Sequence, residues 1–457
     1  MSFVSTASDR DQNQPYLLTC ILREFSRPQS MAGLMKGIST MNKLLLCLAL
    51  PWLAIALAAG EFRAGIAVRV VTPNPLLPVS GGLGPSHPVT RKQGDLSVRA
   101  LVLEEGVTRV AIVSADFLGF PSVLGDRVRA RITAIPRTNI LIGVTHTHSA
   151  PDCYGFPNEQ GEVTADLKYL DTVCVQMAEA INEAFEHRQP SRLRIATGKA
   201  KGKIAFNYYA DELYDPRCNV IQVIGLDGKT TATLVNYAIH PEVLGSEVGL
   251  LSPDLIGPLY DRLREQGGGT GIFMNSAQGG MVTADNRVPG GGDSRTWAEC
   301  ERIGRLLADE ALRIVKDAIP EKEPALFCAA RTISFPVDSP LLLAVLKASP
   351  LGYTGRDTGR VSTTINLVNI GSAQILTIPG EALPNIGYYL KRKMHGQHQL
   401  LFGLTNDAFG YILTKVDWNS FERYNYVSRT CLGEMTGELY IDQALRFVED
   451  SPRPQGP

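Results

Sequence analysis

The chain's 457 residues suffice for one large α/β domain or two ordinary ones, and a hydrophobic content of 44% supplies a sizeable core. Lys and Arg number 45 against 46 Asp and Glu, a net charge of -1, so no general field attracts nucleic acid or an anionic membrane and recognition must come from local sites. The 43 glycines and 28 prolines form no low-complexity tract and no internal repeat; they fit short turns between compact elements.

The strongly apolar run is residues 44–59, behind Met41-Asn42-Lys43 and ending on Ala56-Leu57-Ala58. A short basic start, an apolar centre and small residues at a cleavage point have the form of a secretory signal. At roughly 16 residues the run is marginal for a bilayer core of about 30 Å, which disfavours a membrane anchor. Residues before Met41 are polar and aperiodic, which makes Met41 an alternative start. Residues 1–58 are therefore read as a leader for export to the periplasm or the extracellular space, 59–450 as one domain, and 451–457 as a loose, proline-rich tail. Downstream of the leader stand Cys153, Cys174, Cys218, Cys300, Cys328 and Cys431. An even number permits disulfides in an exported chain, but wide spacing without C-x-x-C fixes no pairing and argues against a cysteine metal site.

In chain order, residues 65–73 read as an opening strand, and 96–103 with 109–113 as a hairpin across Glu104-Glu105-Gly106. The short apolar run 139–144 suits a buried strand and delivers Thr145-His146-Thr147-His148 to its C-terminal end, where site residues often sit in sheets flanked by helices. Helical spacing marks 167–186, 255–265, 297–317 and 383–393. Strand character recurs at 191–197, 220–224, 231–238, 272–274, 325–335, 363–370, 373–378 and 400–404. Helices and strands intermix throughout, so the expected class is α/β (α+β), with mixed β-sheets flanked by helices in a single large domain.

Chemistry concentrates where strands give way to loops. On an extended segment His146 and His148, two apart, face one cleft. His240 closes the apolar strand 233–239 and precedes Pro241. Glu381, in Leu376-Thr377-Ile378-Pro379-Gly380-Glu381, follows another β run; alone it reads as a carboxylate on a helix N-terminus. Gly403-Leu404-Thr405-Asn406-Asp407-Ala408-Phe409-Gly410-Tyr411 ends a further strand in a loop that brings backbone and the Tyr411 phenol near a ligand. Asn275-Ser276-Ala277-Gln278-Gly279-Gly280 lacks the G-x-S-x-G of a serine hydrolase and reads as a close-approach turn, with Thr283 or Asp285 lining the site. The glycine triplets at 267–269 and 290–292 are turns, unlike a phosphate loop.

These segments, in this order, resemble the catalytic domain of the neutral/alkaline, non-lysosomal ceramidases. The resemblance runs from Ala64-Gly65-Ile66-Ala67 through Arg99-Ala100-Leu101-Val102-Leu103, Thr145-His146-Thr147-His148-Ser149, His240-Pro241 and Pro379-Gly380-Glu381 to Asn406-Asp407-Ala408-Phe409-Gly410-Tyr411, nearly the whole chain after the leader. It implies a zinc-dependent amide hydrolase acting on the N-acyl bond of ceramide or a related N-acylated lipid. One Zn2+ per chain falls to His146, His240, Glu381 and Tyr411, nitrogen and oxygen ligands of the kind zinc accepts. His148 stays off the metal as a catalytic group, Thr283 takes the place of a family serine, and Asn207 and Tyr424 are the expected substrate contacts.

Three departures stand against that pattern. Gly280-Met281-Val282-Thr283-Ala284-Asp285 puts a stiffer, β-branched residue where the family shows serine. Asn207-Tyr208 replaces an asparagine-arginine pair, and the chain stops near the end of the catalytic domain, without an immunoglobulin-like C-terminal domain. The expected partner is a lipid-like small molecule, with transient contact to a membrane surface and no nucleic acid. Two other readings stay open: a zinc hydrolase of a different N-acyl amide or ester, and a non-catalytic exported zinc-binding protein.

Overall fold

The computed structural model describes residues 61–157, 162–163 and 165–456, so the apolar run at 44–59 and the expected leader lie outside the described residues. The long strands β1 (Arg63–Val70) and β2 (Ser97–Glu105) pair antiparallel with Gly65 opposite Val102. In β2 alternate residues point to opposite faces. Val98, Ala100 and Val102 are buried against helix residues such as Met177 and Ile181. Leu101 and Leu103 are buried against residues of a second sheet, among them Val368, Ile375 and Phe402. A strand apolar on both faces must be covered on both sides, and this requirement generates the layers.

The large sheet continues with β3 (Thr108–Ala115), β4 (Ile140–Val144), β5 (Gln189–Lys199), β6 (Arg217–Gly225), β7 (Thr230–Tyr237) and β8 (Thr270–Asn275), in the spatial order β8-β7-β6-β5-β1-β2-β3-β4. It is mixed: β3 with β4 and β7 with β8 are parallel, and the other pairs antiparallel. The second sheet comprises β9 (Leu326–Pro336), β10 (Arg360–Ile370), β11 (Ala373–Thr377) and β12 (His398–Phe402) in sequence order, with only β11 and β12 parallel. Helices α1 (Ser122–Arg129), α2 (Leu167–Glu186), α3 (Ile256–Glu265) and α4 (Trp297–Val315) cover the large sheet. On the far side of the second sheet lie α5 (Pro340–Ala348), α6 (Pro384–Lys393) and α8 (Thr436–Glu449), while the short α7 (Asn425–Arg429) precedes α8. The result is a helix-sheet-sheet-helix stack of the α/β class, as the sequence led us to expect.

Local chemistry sets the element ends. The Asp166 carboxylate caps α2 by accepting from the amides of Lys168 and Tyr169 at 2.9 and 3.0 Å. Thr296 does the same for α4, and Ser339 for α5, where Pro340 opens the first turn. Near the start of the tail, Asn369 Nδ2 of β10 donates to the Pro452 carbonyl at 2.7 Å. All six described cysteines are free thiols. Among the described residues no helix is long and apolar enough to cross a membrane.

Candidate metal centre and its cavity

The C-terminal ends of β4, β7 and β8 are drawn together by one side chain. Asn275, the last residue of β8, donates through Nδ2 to the Thr145 carbonyl at 3.1 Å and to the Ile239 carbonyl at 2.7 Å. Its Oδ1 accepts from the amides of Ile239 and Ser276 at 3.2 and 2.9 Å. Thr145 and Ile239 are the residues immediately before His146 and His240, so this buried amide spaces the two histidines. The second sheet joins at the same place, because the Gly403 amide donates to the Asn275 carbonyl at 2.9 Å.

His146 does not lie on a plain extended segment. Its φ is 73°, a left-handed conformation that in a non-glycine residue costs about 1 to 3 kcal/mol and persists only where its surroundings over-determine it. Here its amide donates to the Phe117 carbonyl at 3.0 Å and its ring Nδ1 to the Leu118 carbonyl at 2.5 Å. His146 and His148 still share a cleft, but through this turn: their ring centroids are 4.9 Å apart, and that of His240 is 4.8 Å from His146. Ring nitrogens of His146, His148 and His240 all lie within 4.8 Å of one another, close enough to hold a metal ion.

Glu381 points into this cluster. Its backbone pairs with Tyr411 in a short parallel bridge, and α6 begins only at Pro384, so the carboxylate does not serve as a helix cap. Glu381 Oε2 stands 3.1 Å from His240 Nε2 and 3.5 Å from His146 Nε2. Both rings have committed Nδ1 to a carbonyl, His146 to Leu118 and His240 to Val282 at 2.8 Å. A carbonyl only accepts, so each Nδ1 must donate, and in a neutral ring Nε2 then carries the lone pair. Two lone pairs thus face a carboxylate, an arrangement that calls for a cation between them. Fixed tautomers of this kind, backed by main-chain carbonyls, are how metal-binding histidines are held. The donor set fits a metal ion.

The electrostatics report the same demand. Burial alone would lower the pKa of His240, but Glu381 and Glu242 override it and raise it to about 9. Burial raises Glu381, yet His146 and His240 hold it well below the usual carboxylate range. His148 behaves oppositely: burial, aided by its two neighbouring imidazoles, pushes it down to about 4 against the pull of Glu242. Tyr411 is buried beside Glu381, and both burial and that carboxylate push its phenol well up; its hydroxyl donates to Met281 Sδ at 3.2 Å.

A cavity of about 120 Å³ opens from this cluster, with His146, His148, Glu381 and Tyr411 at its polar end. Its walls are apolar, formed by Leu83, Leu118, Val345, Leu346, Phe409 and Leu432, with Tyr154 and Phe156 stacked at 4.6 Å. Glycines let the backbone close in: a Cβ on Gly279 would stand 2.1 Å from the Glu381 carbonyl oxygen. Thr283 lies beside His240 in a parallel bridge, and its side chain is among the groups that hold Glu242 below the usual carboxylate range. Asn207 and Tyr424 are not part of the cavity wall. The Asn207 side chain is spent within its own turn, donating to Leu213 O at 2.7 Å and accepting from the Tyr209 amide. Tyr424 packs on Tyr209 with centroids 5.0 Å apart. Glu242 was not anticipated from the sequence; its one signal is its place two residues beyond His240, the same spacing that separates His146 and His148.

The molecule therefore belongs to the α/β class with a candidate metal site where the ends of two sheets meet. Its fold is shared with the neutral ceramidase from Pseudomonas aeruginosa, with a TM-score of 0.68 and 17% sequence identity over 87% of this chain and 76% of that chain. A solved structure of a ceramidase complexed with C2 aligns equally, with a TM-score of 0.67 and 17% identity over 87% of this chain and 77% of that one. No family model matches the sequence, and no curated protein does.

Proposed function

We propose that this chain is a metal-dependent amide hydrolase of the ceramidase type, cleaving the N-acyl bond of ceramide or a related N-acylated lipid. The observation that carries this reading is the pair of imidazole Nε2 atoms flanking Glu381 Oε2 at the polar end of an apolar cavity. In the proposed ligand set, His146, His240, Glu381 and Tyr411 hold one zinc ion. When bound, such an ion supplies Lewis acidity toward a carbonyl oxygen and lowers the pKa of water. The chain's own residues do the remainder. Main-chain carbonyls orient His146 and His240, and His148, which lines the cavity, can hold or move a proton there. The apolar walls take a hydrocarbon chain and exclude water from the polar end. The shared fold of the two ceramidases supports the substrate class.

A different polar headgroup is favoured by one observation: the Asn207 side chain is committed within its own turn, and its neighbour is Tyr208 where the family shows arginine. Turnover of fluorogenic N-acyl amides and of matched esters, before and after chelation, tests both readings. Amide hydrolysis abolished by chelator and restored by zinc is expected; hydrolysis indifferent to complete chelation, or none at all, overturns the proposal. Export after removal of residues 1–58 belongs to the same proposal.

A further inference from the structure

Glu242 has no place in the roles given so far, yet three neighbouring segments position it. The His148 amide donates to the Pro241 carbonyl at 3.3 Å, and the His240 amide to the Val282 carbonyl at 2.8 Å. These links set His148, Glu242 and Thr283 side by side. Glu242 Oε2 stands 3.5 Å from His148 Nδ1. The other ring nitrogen, His148 Nε2, is buried with no hydrogen-bond partner among the described residues, and the ring lines the cavity. A carboxylate at one imidazole nitrogen draws the proton there and leaves the lone pair on the other.

We propose that Glu242 is a positioning residue of this site: it holds His148, a ring that lines the cavity, as the Nδ1–H tautomer and so leaves the lone pair on Nε2. The consequence for turnover rests on the amide-hydrolase reading, whereas the tautomer does not.

The test is a double-mutant cycle on the full chain, with metal content measured beside rate. Glu242→Ala is expected to lower kcat on a short-chain N-acyl amide about 10- to 100-fold, with KM within about twofold and bound metal unchanged. In the His148→Ala background it is expected to add nothing, because it acts through that ring. Glu242→Asp is expected to recover part of the rate. Independently of turnover, 15N ring shifts of His148 in histidine-labelled, metal-free protein are expected to show the Nδ1–H form in the wild type and a mixture of tautomers in Glu242→Ala. Losses that multiply across the cycle, or a wild-type ring protonated at Nε2, would overturn the assignment. Absence of wild-type turnover on every N-acyl amide would overturn the amidase reading instead, and the ring shifts would still decide the role of Glu242.

Discussion

His240 Nε2 faces Glu381 Oε2 across 3.1 Å while His240 Nδ1 is held by the Val282 carbonyl. Protein purified without added metal should therefore carry about one zinc per chain by elemental analysis. His146→Ala and His240→Ala should lose it. His148→Ala should keep the metal and lose turnover by roughly a hundredfold, the scale of an acid-base group. A metal content near zero that added zinc fails to restore sinks the ligand assignment, and loss of zinc from His148→Ala makes that ring a ligand.

Without metal, a proton takes the cation's place. His240 is raised from an ordinary 6.5 to about 9 in the fold, so its contribution is fully present below about 6.5 and is lost as pH rises toward 9, on the order of 3 kcal/mol. Glu381 is depressed, so its contribution is present above the unfolded value near ~4.3 and is lost as pH falls below it. Metal-free protein should therefore be most stable to urea between those limits and weaken on both sides. Metal binding should flatten the alkaline limb, because the ion replaces the proton. An alkaline limb that is the same with and without zinc would contradict the shared-cation reading.

Gly279 approaches Glu381 so closely that any Cβ must move it. Gly279→Ala places a carbon 2.1 Å from the Glu381 carbonyl oxygen and 2.6 Å from its carbonyl carbon, both backbone atoms that cannot swing aside. The expected loss is about 1 to 3 kcal/mol of stability, together with weakened metal binding. Thermal unfolding and zinc titration measure the two effects. Retained affinity with full stability would show that the approach is looser than the geometry gives.

Asn275→Ala should be more damaging than an ordinary buried amide truncation. It strands two carbonyls and two amides that now share one side chain, at about 1 to 3 kcal/mol for each group left unsatisfied. Asn275→Asp fills the space but turns an acceptor toward both carbonyls, so it should not rescue. Unfolding midpoints and zinc affinity should fall together in both variants, and a stable variant with normal zinc affinity would refute the spacing role.

Export predicts a mature protein beginning near Ala59. Intact-mass measurement of the native protein decides it, and recovery of the chain with residues 42–58 attached would contradict the leader.

What could be read from the sequence follows from where the determinants lie. Helix α2 was expected at its observed bounds because Leu170, Val173, Cys174, Met177 and Ile181 repeat along one face. Helix α5 was not expected: Pro340-Leu341-Leu342-Leu343-Ala344-Val345-Leu346 is apolar almost throughout, so no helical contrast marks it, and burial on one side appears only once the second sheet is in place. His146, His148, His240 and Glu381 were visible as residue types at strand ends. Their geometry was not, because the left-handed turn at His146 is imposed by carbonyls of Phe117 and Leu118, some thirty residues earlier. Glu242 has only its place two residues beyond His240 as a local signal, and its meaning depends on His148, which only the fold brings beside it.

Asn275 touches neither imidazole, yet it sets the gap between the two chains that carry them. The loops cannot drift separately, since a slip of one strand end pulls on the other through the same planar group. Copying Thr145-His146-Thr147-His148 and His240-Pro241 onto the edge of an unrelated sheet would therefore import the ligands without their gauge, and a working transplant would have to bring the strand end that bears this amide as well.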